Sequence, residues 1–485
     1  MSEIRNLEPK AVWGIFQDLC DIPRPSKKEQ KAVDFAKKFG EDLGLETIVD
    51  KVGNVIIKKP ATPGMEDRKT VVLQGHLDMV PQKNSNIDHN FETDPIQPYI
   101  DGEWVTAKDT TLGADNGMGV AAALAVLQSK DVEHGPLEVL LTIDEETGMT
   151  GAENLEAGIL DADIMINTDS EDEGELYIGC AGGIDTNAKF HFEKEDVPSD
   201  SKAFRIDVKG LKGGHSGMDI PLGRGNANKI LNRLLYATNK SLDVRLADIQ
   251  SGSLRNAIPR EGFAVVAVPG SQAGEFKTII EELVPQVKAE LEVTEPDMEV
   301  TVSEADMPGK VIDEKTSNNL IKAIYGFPNG VIRMSDAMEG LVETSTNLAV
   351  IKMQEEWIEI GSLQRSSVES AKEDLANMIR CVLELAGAEV VHEGAYPGWK
   401  PNINSPILKT MQDVYNNKWG KVPEIKAIHA GLECGIIMEN YPKLDTISFG
   451  PTIRYPHSPD EKVNIKTVKM FYDFLLETLK NIPKK

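Results

Sequence analysis

His76, Asp78, Asp115, Glu145, Glu146, Asp169 and His457 are the side chains whose types and settings could do chemistry together in this chain. They stand in VVLQGHLDMV, TTLGADNGMGV, VLLTIDEETG, IMINTDSEDEG and YPHSPDE. Five of them are the ligand types of a two-metal hydrolytic site, and two carboxylates are left over beside those ligands. In four of the five stretches an apolar, strand-like run ends shortly before the polar residue. Open α/β sheets place their chemistry at the carboxyl ends of strands. The reaction this points to is metal-assisted hydrolysis.

Each fragment alone also has a plainer meaning. In a strand, residues two apart share a face, so Asp78 could orient His76 through its second ring nitrogen. The same pair could simply close an exposed strand end. Asp115, between Gly113 and Gly117 at the start of a helical pattern, could share its two oxygens between cations about 3.5–4 Å apart, or could cap the helix. Glu145 and Glu146 follow the apolar run 137–143, and adjacent carboxylates at a buried strand end repel unless something positive offsets them. One could ligate while the other moves a proton, or both could lie in a solvated turn. Asp169 ends Ile164-Met165-Ile166-Asn167-Thr168, and His457 follows Tyr455-Pro456. Two imidazoles with several carboxylates suit zinc best, cobalt and manganese less well. It is the full set, in order and at strand ends, that points to a site.

The elements that must position these residues follow from periodicity. Val12, Trp13, Ile15, Phe16 and Leu19, then Ala32, Val33, Phe35 and Ala36, mark two helices separated by Pro23 and Pro25. Two short strands flank Gly53-Asn54. From there to about residue 183, strands (TVVLQGH, LEVLLTI, ADIMINT) alternate with helices (GMGVAAALAVLQ, GAENLEAG), the pattern of a largely parallel, buried sheet. Beyond Gly182-Gly183 the period falls to two, with helices at about 225–238, 273–291, 315–325 and 367–386 between strands such as GFAVVAV and DMEVTVS. This is an inserted α+β module. From about 396 the chain reads as a helix (SPILKTMQDVYNN), a loop (HAGLECGII) and a strand (DTISFG) leading to His457. For His457 to join the other ligands, that segment must return to the first domain.

Composition excludes several classes. At 485 residues the chain needs more than one core, and its net charge of -26 argues against nucleic-acid or anionic-membrane partners. No signal-peptide-like stretch opens the sequence, and no run approaches the roughly 20 apolar residues of a membrane span, so a cytoplasmic location is expected. The four cysteines lie far apart without a CxxC pair, against a disulfide framework or a thiolate zinc site. GLKGGHSG is not a nucleotide loop, because no GK[ST] follows.

With LQGHLDMVPQK, LGADNGMGVA, DEETGMTGA, NTDSEDEGELYIGCAGG, GLKGGHSG, HAGLECG and PHSPDE, the chain resembles, over essentially its whole length, the dinuclear zinc peptidase family that includes aminoacylases, carnosinases and bacterial dipeptidases. The resemblance implies an α/β fold: a mostly parallel-sheet catalytic domain of residues 1–183 plus 396–485, and an inserted α+β lid and dimerisation domain at 184–395. It implies that His76, Asp115 and Asp169 hold one zinc and that Asp115, Glu146 and His457 hold the other. Asp78 would orient His76, and Glu145 would be the general base for a hydroxide between the ions. A cis peptide is implied at Asp115-Asn116. His215 would help to stabilise the oxyanion, and Asn256 and Arg365 would hold the peptide carboxylate. His429 and Glu433 would line the pocket for the free amino terminus, where a carboxylate suits an ammonium group. The implied partners are a small peptide substrate and a second copy of the chain. The implied reaction is hydrolysis of dipeptides, foremost Xaa-His (carnosine-type) dipeptides. The alternatives are a broader di-/tripeptidase or an N-acyl amino acid deacylase on the same site, or a non-catalytic metal-binding scaffold.

Overall fold

A computed structural model describes residues 3–485. The chain divides into two compact units. One holds the residues up to Gly179 together with Pro401–Ala427 and Leu432–Lys485, the other Cys180–Lys400 and Ile428–Gly431. The divisions expected at 183/184 and 395/396 fall inside the strands Gly182–His191 and Glu389–Tyr396, a few residues away from these. Nothing in the sequence signals that Ile428–Gly431 leaves the first unit.

The first unit is built on an eight-stranded sheet. Its centre is parallel: Val71–His76 lies between Leu137–Thr142 and Ile164–Asn167, and Asp445–Ser448 pairs in parallel with the latter. Every residue of Val71–His76 and Leu137–Thr142 is buried, as expected of strands covered on both faces. The flanks depart from the parallel expectation. Glu46–Val49 and Val55–Lys59 form an antiparallel hairpin, because the tight Gly53-Asn54 turn leaves no room for a crossover. Ser448 pairs antiparallel with Tyr177 of Glu175–Cys180 on the other side. The sheet is therefore mixed.

Ala114–Gln128 is the helix that leads from the first ligand strand towards the second, and it is buried on almost every side. Helix Lys10–Cys20 packs against it and buries Val12, Trp13, Phe16 and Leu19. The closing helix, Ile465–Lys480, is amphipathic: Val468, Phe471, Tyr472, Leu475 and Leu479 turn inward, and Asn464 caps its first turn by accepting the Thr467 N–H. A four-stranded sheet of very short strands joins Pro98–Asp101 and Trp104–Ala107 to Lys462–Asn464 and Ile453–Arg454. It carries the chain on either side of His457.

The second unit is a nine-stranded antiparallel sheet with the helices Ala227–Asn239, Ala273–Leu291, Glu314–Gly326 and Glu369–Leu385. Leu231, Leu234, Phe276, Leu320, Ile324 and Ile379 from those helices join Phe204, Val266 and Ile360 of the strands in one apolar core.

Candidate active site

The ligand strands end where the chemistry is expected. His76 is the last residue of Val71–His76, Glu145 and Glu146 open a short helix just beyond Thr142, and Asp169 lies two residues past Asn167. Asp115 sits in the first turn of Ala114–Gln128, and the Asp115-Asn116 peptide is cis. Asp144 and His457 have left-handed backbones, with φ of 52° and 58°. Non-glycine residues hold that conformation only where their surroundings impose it. For Asp144 these include the Thr147 and Thr150 hydroxyls, which donate to its carboxylate.

Asp115 is the centre of the arrangement. Its Oδ1 lies 3.1 Å from His76 Nε2, which is also 3.4 Å from Asp169 Oδ1. Its Oδ2 lies 3.3 Å from His457 Nε2, which is 2.9 Å from Glu146 Oε2. Each oxygen of one carboxylate thus faces its own imidazole–carboxylate pair. Ligand atoms of His76, Asp115 and Glu146 also fall within 4.8 Å of one another across the two halves. All five expected ligands converge.

Asp78 lies past the strand end, where the two-residue period no longer applies, yet it reaches back. Its Oδ1 is 3.3 Å from His76 Nδ1. It also accepts the Ser26 hydroxyl and the backbone N–H groups of Glu145 and Glu146, tying the histidine to the acidic turn.

The electrostatics ask for cations. Burial alone would lower the pKa of His76, but Asp169, Asp115 and Asp78 outweigh it and hold the imidazole well above its ordinary value. Hydrogen bonds to Asp115 and Glu146 push His457 up to about 11. Glu145, which does not belong to either pair, is driven well above the carboxylate range by burial and by the neighbouring charges of Asp169, Glu146 and Glu433. Glu146 Oε1 is buried without a hydrogen-bond partner among the described residues, and Asp169 Oδ1 has none beyond the 3.4 Å approach of His76 Nε2. Carboxylates crowded in this way repel one another unless positive charge lies among them, and the imidazole and carboxylate donors present fit divalent metal ions.

Glu433 begins helix Glu433–Asn440, inside a stretch that reads as a loop because of its glycines. Gln74 and Thr142 donate to its Oε2 at 2.6 and 2.8 Å, and its Oε1 is buried without a partner among the described residues. Burial pushes its carboxyl up to about 7.

The second unit gathers the other expected residues around Ser216. The His215 Nδ1 accepts the N–H groups of Gly217 and Met218, so the proton of the neutral ring sits on Nε2, which is left as a donor. Burial and the nearby Arg365 guanidinium lower its pKa to about 4, so the ring is neutral at ordinary pH. Arg365 is buried. It donates to the Ser216 hydroxyl and to the Tyr396 hydroxyl, and no carboxylate pairs with it among the described ion pairs. Asn256 is exposed in a turn, and its carbonyl accepts the Ser216 N–H at 2.8 Å. His429 joins this group: its Nε2 meets the Ser345 hydroxyl at 2.7 Å, and burial beside Arg365 and His215 lowers it to about 3. Sequence reasoning missed Tyr396 and Ser345 altogether. Each is a lone hydroxyl in an ordinary strand, and no spacing marks it.

No helix among the described residues is long and apolar enough to cross a membrane. The sequence matches the peptidase family M20/M25/M40 over residues 72–481. It is 48% identical over 485 residues to the cytosol non-specific dipeptidase of Escherichia coli (strain K12), covering all of both chains. Its structure is similar to the crystal structure of aminoacylhistidine dipeptidase from Vibrio alginolyticus, with a TM-score of 0.95 and 50% identity over 100% of this chain and 99% of the other. An aminopeptidase from Bacillus cereus shares the fold at a TM-score of 0.63 and 17% identity, over 98% of this chain and 99% of that one.

Proposed function

The chain belongs to the peptidase family M20/M25/M40 and is a dipeptidase of it, and from this premise we propose how it cuts and what it holds. His76, Asp115 and Asp169 would hold one Zn2+ and Asp115, Glu146 and His457 the other, with Co2+ or Mn2+ as possible substitutes. The observation that carries this is Asp115, with one oxygen towards each imidazole–carboxylate pair. When bound, the ions would polarise the scissile carbonyl and acidify water.

The residues do the rest. Glu145 takes the proton of the attacking water and returns it to the departing nitrogen, so that the peptide bond breaks to an amine and a carboxylate. Asp78 fixes the ring of His76. His215 donates a hydrogen bond from its Nε2–H to the carbonyl oxygen as negative charge develops there. Arg365, with Asn256, holds the substrate's C-terminal carboxylate, for which a buried guanidinium without a carboxylate partner is suited. Glu433 holds the free ammonium. The second unit serves as the lid, and the enzyme works as a homodimer. It works in the cytosol, where the name of the E. coli relative puts that enzyme.

The test is metal content and its reversal. Purified protein is expected to carry two zinc ions per chain. Removing them with a chelator should abolish hydrolysis of an Xaa-His dipeptide, and adding back two equivalents of zinc should restore it. Full activity in chelated, metal-free protein would overturn the reading, and absence of peptidase activity in fully metallated protein would favour the non-catalytic scaffold.

Substrate breadth is the second question, since one relative is named for aminoacyl-histidine substrates and the other as non-specific. We favour Xaa-His dipeptides as good substrates within a wider range. If Glu433 grips the ammonium, acetylating the substrate's amino terminus should lower kcat/KM by about 100-fold or more. A panel of Xaa-His dipeptides, other dipeptides, tripeptides and N-acyl amino acids measures this directly. Equal rates on blocked and free substrates would remove Glu433 from the role and favour the deacylase.

A further inference from the structure

Two fully buried charged residues outside the ligand set converge on the backbone that carries Asp115. Glu461 is 2% exposed. Its Oε2 accepts the N–H groups of Leu112 and Gly113 at 2.8 and 2.9 Å, and its Oε1 those of Ala114 and Asp115 at 2.8 and 3.2 Å. Four successive N–H groups converging on one carboxylate form an anion nest at a helix start. Glu461 lies on the same loop as His457, and its own N–H donates to the Ser458 carbonyl at 3.0 Å. One side chain therefore pins the loop of one imidazole to the loop of the shared carboxylate.

Arg24 makes the matching link on the other side. It is 1% exposed. Its Nη1 donates to the carbonyls of Leu77 and Asp78, 3.0 Å each, and its Nη2 to that of Gly113 at 2.6 Å. This joins the segment just after His76 to the same Asp115 loop. Gly113 is suited to the contact: its φ is +71°, and a Cβ there would stand 2.6 Å from Arg24 Nη2. A third, neutral link runs from Asn116 Nδ2 to the Thr168 carbonyl at 2.7 Å, next to Asp169.

We propose that Arg24 and Glu461 are positioning residues that fix Asp115 between the two imidazoles, and so set the spacing of the two metal positions before any metal arrives. This rests on the dinuclear reading above. Neither group supplies an atom to the ligand set: both act on main-chain groups, and Asp115 turns its carboxylate to His76 and His457 while its N–H is held by Glu461. Groups that support metal ligands from outside typically change metal affinity by about 10–100-fold when removed.

The experiment compares wild-type protein with Glu461→Gln and Arg24→Lys. An amide at 461 keeps the volume but presents an NH2 to two of the four N–H donors. A lysine at 24 keeps the charge but cannot span three carbonyls in two segments with a planar fork. Metal-free full-length protein is titrated with Co2+ and followed by its visible absorption spectrum, with melting temperature, kcat and KM for a dipeptide measured in parallel. Wild type should take up two Co2+ per chain. Each variant should bind the first Co2+ within about twofold of wild type and the second at least about tenfold more weakly, with an altered two-metal spectrum. At limiting metal kcat should fall at least about tenfold while KM stays within about twofold.

If both variants bind two Co2+ with wild-type affinity and spectrum, and keep kcat within twofold, the proposal is overturned however far the melting temperature drops, because the residues would then serve stability alone. Should one variant fail to fold, the other decides by the same criteria. Fewer than two Co2+ bound by wild type would sink the dinuclear reading itself, and this inference with it.

Discussion

Replacing Glu145 with alanine is expected to lower kcat on a dipeptide by about 10³-fold while both metals stay bound. The backbone of Glu145 is held by Asp78, but its carboxylate belongs to neither imidazole–carboxylate pair, so its loss leaves the donor set intact. Its setting is that of a proton carrier. Burial and the charges of Asp169, Glu146 and Glu433 drive its carboxyl well above the usual range, and two divalent ions would draw it back towards it. A carboxylate balanced between those pressures can accept a proton from water and release it to a leaving nitrogen. Kinetics on protein of verified metal content make the test. A fully metallated Glu145→Ala enzyme with near wild-type turnover would show that the proton travels by another route.

Replacing Asp115 with alanine should do more, because it strikes both halves at once. Its two oxygens are the shared elements of the pairs His76/Asp169 and His457/Glu146, and no other described carboxylate stands between the imidazoles in this way. The expected result is a fall from two bound metals to one or none, and a loss of kcat/KM of at least about 10⁴-fold. Asp115→Asn separates the effects: it keeps the shape and one acceptor oxygen, so partial retention of one metal is expected. Metal analysis alongside steady-state rates checks both. Two tightly held ions in Asp115→Ala would mean that the bridge lies elsewhere.

Much of this was legible in the sequence because two strong signals coincide. The buried strands Val71–His76, Leu137–Thr142 and Ile164–Asn167 are continuous apolar runs, and each hands over to a ligand within a few residues. The helices of the second unit follow an apolar period long enough to place their ends closely, as at Ala273–Leu291. Signals failed where elements are too short to show a period. The strands Pro98–Asp101 and Ile453–Arg454 are paired in space by partners far away in the chain, and nothing local announces them. Helix Glu433–Asn440 hides behind Gly431 and Gly435, which read as loop residues. Arg24 and Glu461 are single charges in polar surroundings, and only their burial sets them apart. The antiparallel place of Glu175–Cys180 in the first sheet was likewise beyond reach, because apolar runs identify buried strands but not their direction.

The interrupted course of the first unit also dictates an order of events during synthesis. Asp445–Ser448 pairs with Ile164–Asn167 along one side and meets Tyr177 on the other, so the middle of that sheet stays open until the whole of the second unit has been translated. The later part can mature as an almost continuous stretch of chain, while its predecessor waits with an unpaired strand edge, the kind of surface that chaperones shield. On the proposed metal site, His457 comes later still, so the ligand set would be complete only after the second unit has been made.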